Sequence, residues 1–171
     1  MALLERNKHI KADLVEKGIL KIDISMIDNV HHISTSFIIS FPEKMIKHAE
    51  ADFKRAPYLG VCKLMCKKMA DLEGIKLDQG FTQKVVQAVG GGKGCHHLVD
   101  QTLEMAKSLS QFIDKAYNIP INDLLDNAPL LREKVLDVYP QAKNMCWAYN
   151  LDNNHLFTKE IKCGLKGDLI I

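Results

Sequence analysis

The hydrophobic pattern predicts an α+β fold: an antiparallel sheet of four or more strands, helices packed on one face, and a C-terminal hairpin. Three observations carry this. Apolar residues alternate with polar ones through much of residues 10–53, the period of half-buried strands. After Ala56-Pro57-Tyr58 the period becomes that of a helix. Connections in the first third are short, which suits a meander with one wet face. The chain has 171 residues, the length of a single domain spanning 1–171. Within it, 1–56 reads mostly as strand, 57–140 mostly as helix, and 141–171 as hairpin and tail.

Each element has its own justification. Ile10, Ala12 and Leu14 alternate with charged residues until Gly18 turns the chain. Leu20, Ile22, Ile24 and Met26 repeat the pattern up to the turn signal Asp28-Asn29. Ile33, Thr35, Phe37, Ile39 and Phe41 follow, closed by Pro42-Glu43, and Met45, Lys47, Ala49, Ala51 and Phe53 make a weaker fourth strand. Val61, Cys62, Met65, Met69 and Leu72 recur at helical spacing, and Gly74 stops that helix. Asp78 is placed to cap a short helix carrying Phe81, Val85, Val86 and Val89. A longer helix over Leu98–Tyr117 buries Leu98, Thr102, Ala106, Leu109, Ile113 and Ala116, and ends at Asn118-Ile119-Pro120. Asn122 and Asn127 are placed to cap two short helices, the second over Leu130–Val138. Met145–Leu151 and His155–Ile161 form the hairpin across Asp152-Asn153-Asn154.

Composition excludes several classes of function. The net charge of +2 and scattered lysines, without interleaved aromatics, argue against nucleic acid. There is no apolar run of membrane-spanning length and no secretory leader pattern. Five cysteines, an odd number, suit free thiols in a reducing cytoplasm. The assembly state stays open, with a homodimer as one option. Charge runs such as Lys67-Lys68 and Arg132-Glu133-Lys134 read most simply as solvated helix faces.

The unusual stretch is Gly90-Gly91-Gly92-Lys93-Gly94-Cys95-His96-His97-Leu98. It lacks both the ending of a P-loop and the glycine spacing of a dinucleotide fingerprint. The loop at Gly92 and Gly94 remains a candidate cofactor-binding element, and the helix N-terminus that follows could receive a small anionic ligand. Cys95 falls in the first turn of that helix, where the dipole favours a thiolate. No Cys-x-x-Cys pair exists, so a metal site must gather single ligands from separate segments, with Cys62, Cys95, His97 and Cys146 as candidates. Cys62, Cys66 and Cys163 read more simply as small hydrophobes.

These motifs resemble a bacterial family of uncharacterised proteins, the domain of unknown function numbered 2889. The likeness rests on His31-His32 before a strand, Ala56-Pro57 with Cys62, Leu72-Glu73-Gly74-Ile75, Gly80-Phe81, Gly94-Cys95-His96-His97-Leu98, and Cys146-Trp147-Ala148. It covers Asp28 to Glu160, and its most specific piece is Gly-Cys-x-His-Leu. His96 departs from an expected Thr, and Trp147 from an expected Tyr or His. The resemblance implies positions and no activity. By layout alone, a sheet followed by helices with scattered cysteines is also similar to iron–sulfur scaffolds of the NifU type.

Three functions follow as expectations. The first is a metal- or sulfur-handling site of Cys62, Cys95, His97 and Cys146, holding zinc or an iron–sulfur cluster. The second is a cysteine-dependent enzyme with Cys95 as nucleophile and His97 or His32 as base. The third is a domain that binds a small ligand or partner without catalysis. A metal site needs three or four converging ligands, whereas an enzyme needs one accessible thiol beside a base.

Overall fold

The computed structural model describes residues 3–112, 127–138 and 140–157. The chain divides into two compact units, Met1–Ser108 and Leu109–Ile171.

The first unit is built on β1 (Arg6–Glu16), β2 (Ile19–Asp28), β3 (His32–Ser40) and β4 (Met45–Arg55), a fully antiparallel meander in the order β1-β2-β3-β4. Alternation selects the faces. Leu20, Ile22, Ile24 and Met26 from β2 join Ile33, Phe37 and Ile39 from β3 in the core. Residues between them, such as Asp23, Ser25, Ser34 and Ser36, line a shallow open trough on the other face of the sheet. β4 departs from the expected alternation. A bulge opposite Ile38 and Ile39 shifts the register, so Ile46, Ala49 and Phe53 are buried and Lys47 is exposed.

The helical half differs from expectation in its winding. α1 is a single turn, Leu59–Cys62, and Lys63–Leu72 continues as a 3-10 helix. At three residues per turn, Cys66, Met69 and Leu72 share one face. Met69 and Leu72 are fully buried, whereas Val61, expected inside, is 65% exposed. α2 (Phe81–Val89) buries Phe81, Val85 and Val89. Its N-cap is Gly80 in the left-handed region, and no side chain caps it. Asp78, expected to cap, instead takes Lys84 Nζ at 2.7 Å.

α3 (His96–Ser108) follows the glycine segment and continues as a 3-10 turn, Leu109–Phe112. The rest of its expected length lies outside the described residues. It packs on β2 and β3. Its buried stripe holds His97, Leu98, Gln101, Thr102, Met105 and Ser108, more polar than expected, and Ala106 is only half-buried.

In the second unit, Asn127 caps α4 (Ala128–Val138): its Oδ1 accepts from the Leu130 amide at 3.1 Å. Asn122 lies outside the described residues. Arg132, expected on a solvated face, is a tie. It donates to the carbonyls of Ala148 (2.7 Å) and Asn150 (3.0 Å) and to Asn154 Oδ1 (2.7 Å). Where the hairpin was expected, Trp147–Tyr149 and Leu151–Phe157 are 3-10 turns. The reason is local: Asn144 and Asn150 side chains accept from the Leu151 and Asp152 amides, competing with a strand ladder. Residues 158–171 lie outside the described residues.

Candidate functional site

Cys95 is placed by close packing of backbone. Its amide donates to Val89 O at 2.7 Å, and its carbonyl accepts from Leu98 and Val99, opening α3. A Cβ on Gly94 would overlap the carbonyl oxygens of Val89 and Gly90, and one on Gly90 would lie 2.8 Å from Val86 O. These two glycines therefore serve the tight corner between α2 and α3. Gly92, by contrast, has open space around it. The loop's glycine demand thus has a structural cause at Gly94, one of the two residues expected to cradle a cofactor.

From this corner the Cys95 thiol, half-buried, lies 3.9 Å from His97 Nδ1. His97 is 8% exposed. Its ring sits 4.3 Å from that of His31 and 3.9 Å from that of His96, centroid to centroid. The rings are tilted by 48° and 38°, a packed column. Burial first, then the neighbouring His96, His31 and Arg6, push the His97 imidazole down to about 4. His97 is therefore neutral at pH 7, with a lone pair free on one nitrogen.

Behind the column stands Asp28, whose side chain is 1% exposed. Its Oδ1 accepts from the amides of Val30 (2.8 Å) and His31 (2.6 Å), the bonding of an Asx turn. The same oxygen lies 3.3 Å from His31 Nδ1, and Oδ2 takes Arg6 Nη2 at 2.7 Å. Arg55 donates to the Asp28 carbonyl. Burial opposes ionisation of Asp28, yet the His31 and Val30 amides and the Arg6 guanidinium outweigh it. They hold the carboxyl well below the usual carboxylate range. One residue thus gathers the ends of all four strands where α3 begins.

Further into the core, Thr35 donates to Gln101 Oε1 at 2.8 Å, while Gln101 Nε2 is buried without a partner. Gln101 stands one turn after His97 on the same stripe. Sequence reasoning missed Asp28, His31 as the ring beside His97, and Gln101. The spacing Asp28-x-x-His31 carried an available signal, because an Asx turn bonds the amides two and three residues on. His32, named as an alternative base, pairs with Ile27 and Arg55 in the sheet.

The remaining candidates stand as follows. Cys62 ends α1, half-buried, and Cys66 is half-buried on the 3-10 helix. Burial and the Asp52 carboxylate push the Cys66 thiol up. Cys146 belongs to the second unit, where it is exposed. Cys163 lies outside the described residues. Cys95 and His97 come together; among the described residues, no group of three or more His, Cys, Asp or Glu side chains converges to hold a metal ion.

Also among the described residues, no helix is long and apolar enough to cross a membrane. Neither the curated proteins nor the solved structures contain a match to this chain. A family model, described as a protein of unknown function (DUF2889), matches residues 6–111. That span begins at β1, earlier than the resemblance suggested, takes in Cys62, Cys95 and His97, and stops short of Cys146. Its match over more than half of the sequence establishes that the chain belongs to the DUF2889 family.

Proposed function

We propose that this domain is a thiol-dependent one in which Cys95 is the reactive group and His97 the acceptor of its proton. The observation that carries the reading is the 3.9 Å approach of Cys95 Sγ to His97 Nδ1 at the start of α3. A nucleophilic cysteine needs one reachable thiol and one base. As the sulfur bonds to an electrophilic carbon, its proton passes to Nδ1 and the leaving group departs with the bonding pair. The resulting imidazolium is opposed by burial and by His96, His31 and Arg6 and supported by the Asp28 carboxylate, so it serves as a transient carrier of the proton and not as a resting ion pair with a thiolate. The four described cysteines are all free thiols, which supports a reducing compartment such as the cytoplasm.

A second reading, metal or sulfur ligation, is favoured by the neutrality of His97, since a metal binds the unprotonated imidazole. Zinc or an iron–sulfur cluster would need further donors beyond Cys95 and His97, and among the described residues no third His, Cys, Asp or Glu side chain converges with them.

The test is alkylation with iodoacetamide at neutral pH, mapped by peptide mass. Cys95 should react on the order of tenfold faster than Cys66, because only the thiolate is nucleophilic. His97→Ala should slow Cys95 and leave Cys66 unchanged. Cys66 reacting faster, or indifference of Cys95 to His97→Ala, would sink the thiol reading. Untagged protein prepared without chelator or oxygen decides the alternative. Metal near one per chain, lost in Cys95→Ala, would move the weight to ligation.

A further inference from the structure

The sheet has two edges, and they are treated differently. β4 is partly covered: Ile46 exchanges backbone bonds with Gly74 and Ile75 at 2.8 and 3.1 Å, and Leu77 donates to Lys44 O at 2.7 Å. β4 is also interrupted by two register shifts. β1 has no strand on its outer side among the described residues, and it runs unbroken from Arg6 to Leu14. A long regular edge presents a row of unpaired amides and carbonyls, a template for another strand. Leu14 is 53% exposed at the end of this row.

We infer that β1 is the surface through which two copies of this chain associate, edge to edge and antiparallel about Ala12. The argument is the register. Within one copy Lys11 Nζ lies 2.7 Å from Asp13 Oδ2; with Ala12 facing Ala12, Lys11 of each copy also meets Asp13 of the other, so the four charges alternate around the axis. Ile10 then meets Leu14 on the helix-bearing face, where Ile10, Ala12 and Leu14 pair with Ile24, Ile22 and Leu20 of β2. Opposite charges and apolar pairs directly across a ladder both stabilise it.

The neighbouring two-fold registers fail. Centring on Lys11 opposes two lysines and sets Lys8 against Leu14. Centring on Asp13 opposes two aspartates, and centring on Ile10 sets Lys8 against Ala12. Only one register satisfies both faces. Its two-fold axis is perpendicular to the sheet, so the result is one continuous eight-stranded sheet with both sets of helices on the same side. Such an interface is isologous. An edge of this length is smaller than a standard protein–protein interface, so the association is weak and concentration-dependent. This inference is independent of the thiol reading.

Sedimentation velocity on the full chain, over a wide concentration range, tests it. A reversible monomer–dimer equilibrium is expected. Lys11→Glu and Asp13→Lys should each weaken the dimer on the order of tenfold, since each turns two attractive pairs into repulsive ones. The double swap Lys11→Glu with Asp13→Lys should restore it. Ala12→Cys should give a disulfide between copies, identified as a 12–12 peptide by mass spectrometry. A monomer at every concentration, a dimer indifferent to Lys11→Glu, or failure of the double swap to rescue would each overturn the inference.

Discussion

The two ends of the sheet are held together by different forces. At the β2–β3 turn, buried Asp28 ties together Arg6, the His31 amide and, through its carbonyl, Arg55. At the opposite end the fastening is backbone and shape: Phe41 donates to Gly18 O at 2.8 Å, and Gly18, at φ +77°, lies against the Pro42 ring. Among the described residues, Asp28 and His97 are the buried groups that carry or can acquire charge, and both are at the first end. One end therefore holds its proton-sensing groups buried, whereas at the other the titratable groups, such as Glu43 paired with Lys47, are on the surface and the buried fastening is steric. The candidate thiol site sits at the sensing end.

The sharpest break of this contrast is Asp28→Ala. It removes the acceptor of the turn amides and leaves Arg6 without its counter-ion, so it should cost about 3 kcal/mol in urea unfolding. An effect under about 1 kcal/mol would mean that water replaces the carboxylate freely. At the other end, Gly18→Ala forces a Cβ into the left-handed region within 3.0 Å of the Pro42 ring carbons. A cost of about 1–2 kcal/mol is expected, the same at pH 5 and pH 7.5.

Acid separates the ends by a subtler effect. The folded His97 imidazole titrates near 4, below its unfolded value of 6.5, so the unfolded chain binds more protons in that interval. Its contribution to stability is complete above about pH 6.5 and lost as the pH falls toward 4. Asp28 is depressed from 3.8, so its contribution is present above that value and lost below it. The melting temperature should therefore decline in two successive stages. His97→Gln should flatten the first and leave the second. A profile unchanged by His97→Gln would show that another group governs the first stage.

Much of the sheet was legible because its information is periodic. Every apolar residue expected inside β2, and Ile33, Phe37 and Ile39 of β3, is buried, since one face of each strand meets the core. β4 was legible as a strand but not in register, because its bulge depends on the β3 partner. The segment after α1 has apolar spacings of three and four, so sequence alone could not choose between α and 3-10 winding. At the site, Cys95 and His97 stand two residues apart in one stretch, so their nearness needed no long-range information, whereas the choice between His97 and His32 as the partner did. Asp28 read only as a turn former, because its ion pair with Arg6 spans 22 residues. Gln101 looked like a polar helix face, since nothing local shows that Thr35 waits beneath it.

The Asp28 clasp also bears on the order in which the sheet assembles. Each hairpin of the meander closes locally, with neighbouring strands pairing across short turns. The clasp requires both the first and the last strand to be in place, since it joins residues 22 and 27 positions away in the chain. The turn bonds to Val30 and His31 close locally, whereas the tie to Arg55 waits on the last strand and is expected to form late, with a low φ-value in Arg55→Ala. Interactions made only beyond the barrier govern the rate of escape from the native state. The Arg55 tie is in this sense a latch: its loss is expected to leave the folding rate nearly unchanged and to speed unfolding, as stopped-flow kinetics of Arg55→Ala would read.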